Sequence, residues 1–100
     1  MHTRIVKVRI AEGRWDEFLA AYLEHVDGRD DIEVGMVHRY IVRDVEDPHV
    51  GLLMSVWETA DDMVRYAEHP FHAAFGEIVP GAITSAEVTH GEVVHERRGV

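Results

Sequence analysis

The chain contains no cysteine. Disulfides, thiolate nucleophiles and cysteine-based zinc or iron–sulfur centres are thereby excluded. Asparagine and glutamine are also absent, and the only serines are Ser55 and Ser85, neither within a nucleophile-elbow pattern. There is no glycine-rich phosphate loop and no dinucleotide fingerprint. Lys7 is the only lysine against nine arginines, and the net charge is −9. That balance lacks the basic surface needed to displace counterions from phosphates, so nucleic acid is not an expected partner. The excess acid reads as solubility. No hydrophobic run approaches the length that spans a membrane. The first apolar stretch, "IVKVRI", carries Lys7 and Arg9, unlike a secretory leader. The expectation is a cytoplasmic protein with no membrane contact.

What remains is the composition of a single globular domain: 100 residues, 46% hydrophobic and 29% charged. "TRIVKVRI" (3–10) alternates as a strand, with Val6, Val8 and Ile10 on one face and Ile5, Lys7 and Arg9 on the other. After the turn at 11–13 the period changes. Trp15, Phe18, Leu19, Tyr22, Leu23 and Val26 follow helical spacing, and Gly28 suits the cap that ends the helix. "GMVHRYIVRD" (35–44) and "VGLLMSVWE" (50–58) read as strands joined by a turn with Pro48. Thr59-x-x-Asp62 resembles a capping box and starts a second helix with Met63, Tyr66 and Ala67 inward. Pro70 interrupts, and a further helical run restarts over Phe71, Ala74, Phe75, Ile78 and Val79. "SAEVTHGEVVHE" (85–96) completes the set as a fourth strand, with a bulge expected at Gly91.

The order β-α-β-β-α-β predicts an α+β, ferredoxin-like fold: a four-stranded antiparallel sheet with two helices on one face. The strand 50–58 is apolar on both faces through Leu52, Leu53, Met54 and Val56, so its second face needs a cover. A second copy of the chain packed sheet to sheet supplies one, which makes a homodimer the expected assembly.

His69 and His72, three apart, have a spacing that can place two imidazoles on one metal, but two ligands are too few and no motif specifies a third. No metal is expected. His72 lies about 60° around the helix from Phe75, at the border of the apolar face. Near a helix start, the dipole favours a neutral imidazole over the imidazolium, so His72 suits a base. Trp57 and Tyr66 are either core or the walls of a slot for a flat aromatic molecule, with Tyr66 presenting its hydroxyl. Tyr22 is core that reaches the same cavity. His38, alternating with Met36 and Tyr40, faces either the cavity or the dimer. The pairs Asp30-Asp31 and Asp61-Asp62 read as solvated helix-end residues.

"GMVHRYIVRDVEDPHVGLLMSVWETADDMVRYAEHPFHAAF" resembles the antibiotic biosynthesis monooxygenase family of the dimeric α+β barrel superfamily. The matching features are Gly35 opening a strand, Asp44 with Asp47-Pro48 in the turn, Trp57-Glu58 ending a strand, Tyr66, and the His69–His72 segment. The resemblance covers roughly residues 3–93 and implies the dimeric barrel. Within that family, one group oxidises polycyclic phenols or quinols with molecular oxygen and no cofactor, and another binds and opens heme. Both use an asparagine. Trp57 stands where the phenol-oxidising type has a pocket tryptophan, and Met63 stands near its companion tyrosine. Tyr66 and Gly76 fall where the heme-opening type has a tryptophan and a histidine.

The resemblance therefore implies a cofactor-independent monooxygenase acting on an electron-rich phenol, anthrone or quinol. His72 would be the base, Tyr66 its hydrogen-bonding partner and Trp57 a stacking wall, with Tyr22, His38 and Phe75 lining the pocket around a small aromatic molecule. The alternatives are a non-catalytic ligand-binding or interaction domain on the same barrel, favoured by the missing asparagine, and a heme-binding relative.

Overall fold

The computed structural model describes residues 1–70 and 79–99. The helical run expected from Phe71 lies outside them up to residue 78, and His72 and Phe75 with it.

Strand β1 (His2–Ile10) carries the alternation read in the sequence: Val6, Val8 and Ile10 are buried, while Lys7 and Arg9 are exposed. Helix α1 (Trp15–Val26) buries Phe18, Tyr22 and Val26, four residues apart on one stripe. Asp16 and Glu17 sit in its first turn, where negative charge suits the helix dipole. Strand β2 (Met36–Arg43) turns into β3 (Val50–Trp57) through an Asx-type turn. There Asp44 Oδ1 accepts from the Glu46 and Asp47 amides at 2.8 and 3.1 Å, and these bonds hold the Asp44 carboxyl below the usual range. Helix α2 (Ala60–Glu68) starts on the expected cap. The Thr59 hydroxyl accepts from the Asp62 amide at 3.1 Å and donates to the Asp62 carboxylate at 2.9 Å. Strand β4 (Ile83–Glu92) begins two residues earlier and ends four earlier than the sequence pattern indicated. The irregularity on its edge falls opposite Arg9/Ile10, not at Gly91, which pairs in register with Thr3.

The sheet is antiparallel throughout, in the order β2-β3-β1-β4. This is the ferredoxin-like arrangement, with α1 and α2 on one face. Cross-strand partners share a face, so the register assigns each side. The helical side carries Arg4, Val6 and Val8 from β1, Gly51, Leu53, Ser55 and Trp57 from β3, and Arg39, Ile41 and Arg43 from β2. The open side carries Ile5 and Lys7, Leu52, Met54 and Val56, and Tyr40 and Val42. The interior divides into two packed groups that share Leu53. One joins Val6, Val8 and Ile10 to Phe18, Val79 and Ala82; the other joins Tyr22, Val26 and Ile32 to Trp57, Met63 and Tyr66. On the helical side of β4, Ala86, Val88 and His90 stay exposed, Val88 by 53%.

Candidate functional site

The end of the interior around Trp57 is set by a glycine. Gly35 has φ +87°, and a side-chain carbon there would lie 2.9 Å from the Asp62 Cβ. Only glycine permits both the left-handed backbone and that approach. The loop before β2 therefore seats against the first turn of α2, with Gly35 carbonyl accepting from the Glu58 amide at 2.8 Å. This contact brings the end of β3 and the start of α2 together and fixes Trp57 beneath Tyr66.

Trp57 is fully buried. Its indole Nε1 donates to the Ser55 hydroxyl at 2.9 Å, so its one polar atom is satisfied. The Tyr66 ring lies 4.7 Å away, tilted by 42°. Tyr22 comes from α1 and Tyr66 from α2, and their hydroxyls are within hydrogen-bonding reach of one another. Burial pushes the Tyr22 hydroxyl up to about 12; Tyr66 adds to the rise, and Arg39 pulls against it. Arg39, on the helical side of β2, lies 5.9 Å from the centre of the Tyr22 ring and pairs with Glu33 at 2.6 Å.

Arg4 closes the cluster from β1, opposite Ser55 on one neighbouring strand and His90 on the other. The two arginines are balanced differently. Burial lowers the Arg4 pKa, and Tyr66 and Tyr22 oppose this only in part. Burial acts on Arg39 in the same direction, but Tyr22, the bond to Glu33 and Tyr66 outweigh it and raise its pKa. Arg39 has a carboxylate partner in Glu33. Arg4 has none among the described residues, and its buried Nε has no hydrogen-bond partner.

Of the residues singled out in the sequence, the fold brings together Trp57, Tyr66 and Tyr22. Of the two faces open to His38 in the sequence, the structure gives it the one away from the helices. The register slips between Met36 and His38, so Met36 packs on the helical side while His38 joins Tyr40 on the open side, ring centres 5.8 Å apart. A one-residue slip moves every following side chain to the other face, and His38 is carried away from the tyrosines. His69 caps the end of α2, donating its amide to the Tyr66 carbonyl at 3.2 Å. His72 and Phe75 lie outside the described residues. Among the described residues no group of three or more histidines and carboxylates is placed to hold a metal, and no helix is long and apolar enough to cross a membrane. Two hollows of about 380 and 300 Å³ lie on the open side around Lys7, away from the tyrosine cluster.

Sequence reading missed Arg4, Arg39 and Ser55. For Arg4 the signal was present: it stands two residues before Val6, in phase with Val6, Val8 and Ile10.

An arrangement of buried aromatic surface, linked hydroxyls and guanidinium groups can hold a flat ring and favour its anion. The fold is shared with solved structures. A protein from Nitrosomonas europaea assigned to the antibiotic biosynthesis monooxygenases superposes with TM-score 0.76 at 16% identity, over 95% of this chain and 100% of the other. One from Bordetella bronchiseptica with the same assignment gives 0.75 at 21% identity, over 94% and 97%. The heme-degrader MhuD from Mycobacterium tuberculosis, solved with two hemes bound in its active site, gives 0.75 at 19% identity, over 98% and 100%. At these identities the likeness establishes the fold. No curated protein sequence matches the chain. The sequence profile of antibiotic biosynthesis monooxygenases matches residues 1–78, and the chain belongs to that family.

Proposed function

We propose that the protein is a cofactor-independent monooxygenase that binds an electron-rich phenol, anthrone or quinol between the helices and the sheet. The observation that carries this reading is the Tyr22–Tyr66–Arg39 cluster against the buried Trp57 ring. Deprotonation of such a substrate gives an anion able to reduce oxygen directly. One oxygen atom then enters the ring, the other leaves as water, and the substrate supplies the electrons, so no external reductant is needed. The protein has to accept a proton, hold the anion and exclude water. Trp57 is the stacking wall. Tyr66 hydrogen-bonds the substrate oxygen, with Tyr22 and Arg39 supporting it. His72, which follows α2 in the chain, is the base.

The test is oxygen consumption with a panel of anthrones, quinols and phenols. His72→Ala is expected to lower turnover by about 10²–10⁴-fold, the usual share of a general base. Equal rates for wild type and variant would eliminate His72, and no activity across the panel would leave the non-catalytic ligand-binding domain standing. A heme-binding reading is favoured by the structural likeness to MhuD, which binds heme. A Soret shift on titration with hemin, together with silence on the phenolic panel, would establish that reading instead.

The same reading includes a homodimer. On the open side, Leu52, Met54 and Val56 form an apolar row beside Tyr40, which is 51% exposed, and Val42. A second sheet packed on this row would cover it. Analytical ultracentrifugation at micromolar concentration is expected to give a dimer; a folded monomer would remove the sheet-to-sheet assembly.

A further inference from the structure

We propose that Arg4 is the anion-receiving residue of this site, selecting flat aromatic ligands that carry a carboxylate over neutral ligands of the same shape. This rests on the reading that the helix–sheet site takes a flat aromatic molecule, and it names the class of that molecule.

The chain holds 19 aspartates and glutamates. Arg9, Arg14, Arg29, Arg39 and Arg65 each take one as a partner. Arg4 is half-buried and takes none among the described residues, and its Nε is enclosed without a hydrogen bond. Taking a cation out of water without a counter-charge is costly, and most buried charges are paired. Its neighbours do not supply the missing charge. Ser55 is neutral and its hydroxyl already accepts from Trp57. Tyr22 stays protonated far above neutral pH, because burial pushes it up to about 12. Glu33 is engaged by Arg39, and Glu92, diagonal to Arg4 on the same side of the sheet, makes no ion pair with it.

The surface next to Arg4 has the matching apolar part. Val88 and His90 lie on the same side of the sheet, His90 directly across from Arg4 and Val88 diagonal to it. Such neighbours are about 5–8 Å apart, the span of a fused ring and its substituent. A ring resting over the exposed Val88 would direct a carboxylate at Arg4. A guanidinium suits this role because its planar fork can meet both carboxylate oxygens at once.

The experiment is a pair of titrations, followed by calorimetry, with a hydroxynaphthoic acid and the corresponding naphthol. Wild type is expected to bind the acid about tenfold more tightly, the scale of one charge-assisted pair. Arg4→Met is expected to abolish that ratio, and Arg4→Lys to restore part of it. Without ligand, Arg4→Met should melt no lower than wild type, because it removes an unpaired cation. Equal affinity of wild type for both probes overturns the proposal and leaves the aromatic site intact. A lower melting temperature for Arg4→Met with the ratio preserved makes Arg4 structural and also overturns it. Binding of neither probe removes the aromatic site itself, and the proposal with it.

Discussion

The two halves of the interior are built from the same layers and packed by different rules. Around Phe18 the helix meets the sheet through Val6, Val8, Ile10, Val79 and Ala82, with no charged group among them; Arg43 lies only at its edge, 5.7 Å over the Trp15 ring. The Trp15 ring closes this half over Gly51, where a side-chain carbon would lie 2.6 Å from the indole, so the strand has to be bare there. Around Trp57 the same two layers enclose two phenols and are flanked by two guanidiniums and a serine. Apolar packing stabilises a fold without any requirement for aligned dipoles. Buried polar groups do not; each needs a partner, and each has an orientation. A small domain that carries such a group at one end of its core has stability supplied by the other end. One half is packed by apolar side chains alone, and the other gathers the polar groups of the candidate site.

Truncation is the strongest way to break that comparison. Phe18 is 1% exposed and meets Trp15 edge-on at 5.6 Å and Tyr22 at 6.2 Å. Phe18→Ala removes a large buried side chain and is expected to cost about 3–5 kcal/mol. Tyr66→Phe removes only a hydroxyl from the other half and is expected to cost about 1 kcal/mol. Urea unfolding of both variants gives the two numbers. Equal losses would mean that the polar half carries the fold as much as the apolar half, and the division would fail.

The apolar half was the more legible in the sequence, for a physical reason. Period-two alternation in β1 and period-3.6 spacing in α1 are set by burial, and burial of Val6, Val8, Ile10 and Phe18 has no competing explanation. The cap at Thr59 was equally plain, because a hydroxyl three residues before an acid satisfies amides that the helix leaves free. In the polar half, Trp57, Tyr66 and Tyr22 were recognised as aromatic surface. Arg4 and Arg39 were not, because a charged residue in a strand is read as solvent-facing by default. Phase identifies Arg4. For Arg39 phase misleads, since the slip after Met36 reverses the faces of β2 and removes His38 from the site as it brings Arg39 in. A bulge of this kind depends on the partner strand and leaves no local sequence mark. The proposed homodimer depends on a second chain, and the apolar row on β3 states only that a cover is needed.

A smaller effect sharpens the same contrast through pH. Tyr22 has its pKa raised from 10.0 to about 12, chiefly by burial and then by Tyr66. The sign follows from proton binding. Between these two values the unfolded chain has released the Tyr22 proton while the folded chain still holds it. The unfolded state then binds fewer protons, so stability falls as pH rises. Below pH 10 the group contributes its full stabilisation, and above about 12 that contribution is gone. The loss over the window is on the order of 2–3 kcal/mol for a shift of this size. Tyr22→Phe has no proton to lose and should show a correspondingly flatter profile, which isolates Tyr22 from the arginines and other tyrosines titrating nearby. The measurement is urea unfolding of wild type and Tyr22→Phe at a series of pH values across the window, with phenolate absorbance followed in the same samples. Parallel profiles for the two proteins would mean that Tyr22 ionises in the folded state as it does in the unfolded chain. The hydroxyl would then be open to water, and the enclosed end of the interior around Trp57 could not hold an anion away from solvent as the proposed chemistry requires.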